Sequence, residues 1–297
     1  MKNVILTVDI GGSFIKAAIY DEEGHCISPL PEELTTIGKN GNDIAGQIAR
    51  MYFHLSGRYP ISGIALASAG IIDPYEGVIE ISNNIPHYSG TPLKAMTESS
   101  CGVPCSLEND VNALALGEYW QGAARGGKTV LCVSIGTGLG GAVLSDGKIL
   151  HGSHFTAGEI GLLPLADGKF LEEKASTTAL LADYAQRSGE EIDGRQFFAR
   201  FSVGDHHAML ALDQMLDHLT DGLLPALYLL APDIVLLGGG IAAAEIVELK
   251  FRHMIAEKLP LSRFMPKTIC CAALGRQATM LGALRWFLDR KKDELES

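Results

Sequence analysis

The sequence predicts an α/β fold made of two halves with related topology. Two observations carry this. Short apolar, β-rich runs alternate with stretches of helical spacing along the whole chain. One pattern of strand, glycine turn, strand and hairpin turn occurs near Asp9 and again near Thr137, a weak internal repeat. The 297 residues suit about two domains of ordinary size. With 47% apolar and 20% charged residues there is ample material for a core, which excludes disorder over most of the chain.

The elements follow in order. Val4–Val8 reads as a buried strand that stops at Asp9 and Gly11-Gly12. Phe14–Tyr20 is a second strand, closed by the turn Asp21-Glu22-Glu23-Gly24. Within Asp43–Ser56, the residues Ile44, Ile48, Met51, Tyr52 and Leu55 have helical spacing. Gly63–Ala67 is a strand, Leu93–Ser99 a short helix, Pro104–Leu107 a strand and Val111–Ala124 a helix. The second half opens with the strand Thr129–Ile135. A further strand, Gly141–Ser145, runs into an Asp146-Gly147 turn. Helical patterns cover Ala175–Ser188, His206–Leu230, Ala244–Leu259 and Thr279–Asp293, and Ile234–Leu237 is a buried strand. No low-complexity linker separates the halves, and the pattern puts the boundary near residue 120.

Charge and cysteine usage narrow the function. The 24 Lys+Arg against 35 Asp+Glu give a net charge of -11, which argues against nucleic acid or an anionic membrane as the main partner. No apolar run reaches the ~18 residues of a membrane span. The nearest, Leu223–Gly240, is interrupted by Pro225, Pro232 and Asp233. The first apolar run is too short for a secretory leader. A soluble, cytoplasmic protein is expected. The six cysteines form no C-x-x-C pair and read as small buried apolar residues.

The 34 glycines are in excess, and three clusters of them follow buried strands. They are Asp9-Ile10-Gly11-Gly12-Ser13 with Lys16 beyond it, Gly136-Thr137-Gly138-Leu139-Gly140-Gly141, and Gly238-Gly239-Gly240. Glycine lets backbone N–H groups approach an anion without a Cβ in the way. Two such turns suit a phosphate clamp, and a third suits the base and ribose of a nucleotide. Asp9 suits a hydrated Mg²⁺, which takes one or two carboxylates plus substrate phosphates. Each cluster alone also fits ordinary turn chemistry, and none matches a P-loop or a dinucleotide fingerprint.

The triplet Glu108-Asn109-Asp110 sits between a strand and a helix, where open α/β sheets present their chemistry. Asp110 suits a general base that takes a proton from an alcohol attacking phosphorus, and Asn109 suits orienting that alcohol. Either residue also suits a helix N-cap, and the two roles are compatible. Glu159 and Glu172 suit the acceptance of substrate hydroxyls. Glu172 equally suits a helix start, and Asn83-Asn84 a turn.

Taken together, these residues resemble the ROK sugar kinases of the actin-like ATPase superfamily. The resemblance runs from Asp9 to about Ala283. Its pieces are D-I-G-G-S-F-I-K (Asp9–Lys16), A-S-A-G-I-I-D-P-Y-E-G-V-I (Ala67–Ile79) and E-N-D-V-N-A-L-A-L-G-E (Glu108–Glu118). With them go I-G-T-G-L-G-G-A (Ile135–Ala142), A-G-E-I-G (Ala157–Gly161) and V-L-L-G-G-G-I (Val235–Ile241). The resemblance implies two actin-like (ribonuclease-H-like) α/β domains with a ligand cleft between them. It suggests residues 1–118 on the sugar side and 119–283 on the nucleotide side, with the C-terminal helix 284–297 packing back on the first. It implies transfer of the γ-phosphate of MgATP to a sugar hydroxyl, usually O6. By motif match Asp110 is the catalytic base. Ser68, Asn84, Asn109, Asp110 itself, Glu159 and Glu172 fall at sugar positions. Asp9, Gly11, Gly12, Ser13, Lys16, Gly136, Thr137 and Gly138 fall at the phosphates, with Asp9 reaching Mg²⁺ through water. Gly238 and Gly239 fall near the adenosine. A homodimer is implied by the same analogy.

Three departures stand out. Leu162 takes the place of the family's histidine after A-G-E-x-G, and Leu163–Leu171 contains no cysteine, so no structural zinc is expected. His151 and His154 have H-x-x-H spacing but lack partners for a metal site. Gln277 replaces an Asp, and Ser13 the commoner Thr. Asn83–Thr91 with Leu171–Leu180 looks like the zinc-free N-acetylmannosamine kinases. A β-glucoside kinase and a non-catalytic sugar-sensing regulator are the alternatives. The regulator is disfavoured because the first strand starts at Val4 and leaves no room for a DNA-binding domain.

Overall fold

The computed structural model describes residues 3–30, 33–34, 40–83, 85–241 and 244–296. It divides into two compact units: residues 1–122 with 151–156 and 274–297, and residues 123–150 with 157–273. The expected division, 1–118 and 119–283, has no counterpart to the short return of residues 151–156 to the first unit.

In the first unit, β1 (Val4–Ile10) and β2 (Phe14–Tyr20) form an antiparallel hairpin, which β3 (Cys26–Pro29) and β4 (Glu33–Leu34) extend. After helix α1 (Gly41–Ser56), β5 (Ile61–Ser68) returns parallel to β1. A small hairpin, β6 (Ile71–Asp73) and β7 (Val78–Ile81), and helix α2 (Leu93–Cys101) lead to β8 (Cys105–Asn109), parallel to β5. Helix α3 (Asp110–Gln121) closes this stretch. The sheet order is β3-β2-β1-β5-β8.

The central strands are apolar on both faces, as parallel strands covered on both sides must be. Val4, Leu6, Val8 and Ile10 pack with Ile44, Ile48 and Met51 of α1 and Leu93 of α2. Ile5, on the opposite face, packs with Ala113 of α3 and with Leu281 and Leu284 near the C-terminus. α1 starts where its sequence says it should, with a capping box between Asn40 and Asp43.

The second unit repeats the plan. β9 (Thr129–Ile135), β10 (Leu139–Ser145) and β11 (Lys148–Ile149) form an antiparallel meander. Helices α4 (Glu172–Ala175), α5 (Thr177–Ser188), α6 (Gly194–Ser202) and α7 (His206–Leu230) follow. Then come β12 (Ile234–Gly238), α8 (Glu245–Lys258) and β13 (Thr268–Cys271), with β12 parallel to both β9 and β13. The order β11-β10-β9-β12-β13 is the order of the first sheet. The last helix, α9 (Ala278–Glu296), belongs to the first unit and runs against α3. Among the described residues no helix is long and apolar enough to cross a membrane.

Candidate active site

In the first unit the sheet registers gather the expected residues at one edge. Asp9 lies beside Ala67, Ile10 beside Ser68, and Ser68 beside Asn109, so β1, β5 and β8 end together. This is the C-terminal edge of parallel strands, where open α/β sheets bind ligands. The β1–β2 turn is closed by the Gly11 N–H donating to the Phe14 carbonyl at 3.0 Å. Gly11 and Gly12 are partly exposed there and Ser13 is exposed. Across the hairpin Asp9 pairs with Lys16, whose Nζ is 3.3 Å from Oδ2. Lys16 therefore stands as partner of the carboxylate expected to face the metal.

Asn109 is the N-cap of α3. Its Oδ1 accepts the N–H groups of Val111 at 2.9 Å and Asn112 at 3.0 Å, and its Nδ2 donates to the Gly70 carbonyl at 2.9 Å. The asparagine thus fixes the helix start and clamps it to the loop after β5. Asp110 is the first residue of the helix, half-buried, with Oδ1 accepting its neighbour's N–H from Val111 at 3.0 Å. A carboxylate in a first helical turn is favoured by the unsatisfied N–H groups there.

Ser68 points into the unit. Its side chain is fully buried, and its hydroxyl shares a 3.2 Å hydrogen bond with that of Tyr88. Burial holds the Tyr88 phenol well above its ordinary range, so it stays a neutral partner. Ser68 is thus held inward, as a strut beneath the strand ends. Asn84 lies outside the described residues.

In the second unit the register Gly238 beside Ser134 aligns the ends of β12 and β9. Gly136 donates its N–H to the Gly138 carbonyl at 3.0 Å, which folds the Gly136–Gly138 turn on itself. Helix α5 ties this turn down: Thr177 N–H donates to the Gly136 carbonyl at 2.9 Å, and Thr178 Oγ1 to the Thr137 carbonyl at 2.7 Å. Gly239 has φ +88°, and a Cβ there would collide with the Ile135 carbonyl. So the third glycine cluster touches the end of the strand that carries the second.

Glu159 and Glu172 come together beside that turn. A Cβ on Gly138 would stand 3.1 Å from Glu172 Oε2. Burial, and then the charge of Glu172, push the Glu159 carboxyl above its ordinary range. The Ala157–Gly161 segment reaches β10 because Gly141 and Gly158 approach backbone to backbone.

Sequence reasoning missed one connection. Glu108 is fully buried, and its Oε2 lies 2.7 Å from Nε2 of His151. The H-x-x-H spacing drew attention to metal binding. The signal that pointed elsewhere was a glutamate beside Leu107 in a strand that is buried up to Glu108. His154 is exposed. The one grouping of potential metal ligands among the described residues is Asp21, Glu23 and His25, in the turn after β2 at the opposite end of the first sheet from Asp9.

With this geometry in view, a family model described as ROK family matches residues 5–290. The chain belongs to the ROK family. Among curated relatives of this ROK protein is a beta-glucoside kinase of Listeria monocytogenes, 31% identical over 97% of this chain and 98% of its own. Among solved structures, a Listeria monocytogenes protein described as a proposed N-acetylmannosamine kinase superposes with a TM-score of 0.85 at 29% identity, covering 97% of this chain and 99% of its own. A ROK family glucokinase from Streptomyces griseus, solved with glucose and AMPPNP, gives 0.84 at 27% identity, covering 95% of this chain and 98% of its own. The fold of this ROK protein is the two-domain, actin-like α/β fold of these sugar kinases.

Proposed function

We propose that this ROK protein is an ATP-dependent sugar kinase that transfers the γ-phosphate of MgATP to a hydroxyl, O6, of a hexose or N-acetylhexosamine. The observation that carries the reading is Asp110. Its carboxylate is half-buried at the start of α3, on the edge where β1, β5 and β8 end.

In the reaction the sugar oxygen forms a bond to γ-phosphorus as the bond to the β-phosphate oxygen breaks. The hydroxyl proton passes to Asp110 and ADP leaves with the electron pair. Glu159 and Glu172 accept hydrogen bonds from sugar hydroxyls. The N–H groups of Gly11, Gly12, Ser13, Gly136, Thr137 and Gly138 hold the phosphates, and Gly238 and Gly239 leave room for the adenosine. Asp9 fits Mg²⁺ by donor type, a single partly buried carboxylate. When bound there, the ion would neutralise charge on the phosphates.

A second reading, a β-glucoside kinase, is favoured by the full-length similarity to the Listeria beta-glucoside kinase. The paired Glu159 and Glu172 suit a monosaccharide or N-acetylhexosamine with free hydroxyls as well as a glycoside. Product analysis by phosphorus NMR over glucose, N-acetylmannosamine, N-acetylglucosamine, mannose, fructose and cellobiose separates the two. A 6-phosphate on a monosaccharide is expected. Phosphorylation of cellobiose alone would establish the second reading.

A further inference from the structure

We propose that His151 is a positioning residue which, acting through Glu108, fixes the strand end and helix start that present Asp110. The proposal rests on the reading of Asp110 as the base. It assigns His151 no contact with the reacting atoms.

Glu108 sits in β8 with no exposed surface, immediately before the helix cap. A carboxylate so buried is strongly destabilising unless its oxygens are satisfied. Here the donors come from the site itself. Oε1 accepts the backbone N–H of Asn109 at 2.7 Å and the side-chain amide of Asn112 at 3.0 Å. Oε2 faces His151 Nε2 at 2.7 Å. The same Asn109 caps α3 and binds the Gly70 carbonyl. An unbroken series of hydrogen bonds therefore runs from the imidazole to the first turn of the helix that starts at Asp110.

The ring is held as a positioning group must be. Tyr75 meets it edge-on at 5.6 Å between centroids, and Trp286 at 5.3 Å. Arg290 lies over both of those rings, at 5.3 and 6.0 Å. Tyr75 comes from the turn between β6 and β7, Trp286 and Arg290 from α9, and His151 from the short segment that returns to this unit. Parts of the chain distant in sequence thus hold one imidazole with Nε2 aimed at Glu108. Because both oxygens of a carboxylate can only accept, the arrangement calls for the proton on Nε2 of the ring. Loss of that donor would free Glu108 to rotate and would loosen the backbone at Asn109. A misplacement of a fraction of an ångström at Asp110 is costly for proton transfer and barely felt in substrate binding.

The test compares His151→Leu, which keeps the bulk but removes the donor, with His151→Gln, which keeps an N–H donor. His151→Leu is expected to lower kcat about tenfold or more with the KM values for sugar and ATP nearly unchanged, and His151→Gln is expected to recover most of that loss. Equal loss in both variants, a loss confined to KM, or wild-type kcat in His151→Leu would overturn the proposal. Should the leucine variant fail to fold, nitrogen NMR of the wild-type imidazole decides. The Nε2-protonated tautomer, slow to exchange, is expected, and a ring protonated on Nδ1 alone would break the link and overturn the proposal. That measurement needs no activity, so it separates failure here from failure of the kinase reading. The kinase reading falls separately if Asp110→Asn turns over like wild type.

Discussion

Asp110 and Glu159 are two carboxylates given different work by their surroundings. Asp110 sits in the first turn of α3 with its own helix cap beside it. Replacing it by Asn keeps the shape and removes the carboxylate proposed as the base. Turnover is expected to fall about 10²–10⁴-fold, the usual contribution of a general base, with the melting temperature and sugar affinity close to wild type. Glu159 is half-buried beside Glu172, and its carboxyl is raised above the ordinary range. A folded-state value above the unfolded one means that the native state binds the proton more tightly. The destabilisation is absent at pH below the ordinary glutamate value and grows as pH rises through the raised one. Glu159→Gln is therefore expected to raise the melting temperature at pH 8 and to change it little at pH 4, while weakening sugar binding. Thermal unfolding at both pH values checks this. Asp9 and the Glu108-Asn109-Asp110 triplet stood out in the sequence because polar residues at strand ends are conspicuous. The fates of Ser68, turned inward to Tyr88, and of His151, turned to Glu108, were not, because both depend on partners distant in sequence.

At the scale of elements, glycine decides how closely helices approach. A Cβ on Gly117 of α3 would collide with the Ala278 carbonyl, and one on Gly282 of α9 with the Ala113 carbonyl. These helices cross backbone against backbone, and α9 thereby covers the far face of the first sheet. Gly282→Ala is expected to destabilise the first unit by roughly 1–3 kcal/mol or more, the usual cost of overpacking, seen as a lower denaturant midpoint. A midpoint equal to wild type would show that the helices can move apart freely. Periodicity found Phe14–Tyr20, Thr129–Ile135 and His206–Leu230 to the residue, because each is bounded by glycine, charge or turn residues. It passed over the β6–β7 hairpin and α6. The hairpin strands are short, and Asp73 at the end of β6 with Pro74 and Gly77 beyond it read as loop. In α6, Phe197 is the one fully buried side chain, so the apolar stripe is too thin to mark a helix.

At the scale of the molecule, one strand order is used twice, and the glycine clusters fall at the same edge of each sheet. The repeat was visible in sequence because glycine and hairpin turns recur in step. The strand order was not, because β5, β8, β12 and β13 pair across long insertions. The net charge of -11 is compatible with the proposed small anionic ligand, whose charge N–H groups and a divalent ion would meet locally. The central claim is that phosphoryl transfer to sugar is the activity of this ROK protein. It is tested most directly by measuring ADP release from MgATP with and without each sugar of the panel. The account predicts ADP formation that depends on one sugar and matches its phosphorylation mole for mole. ADP release at the same rate without sugar, or none with any of them, would contradict it.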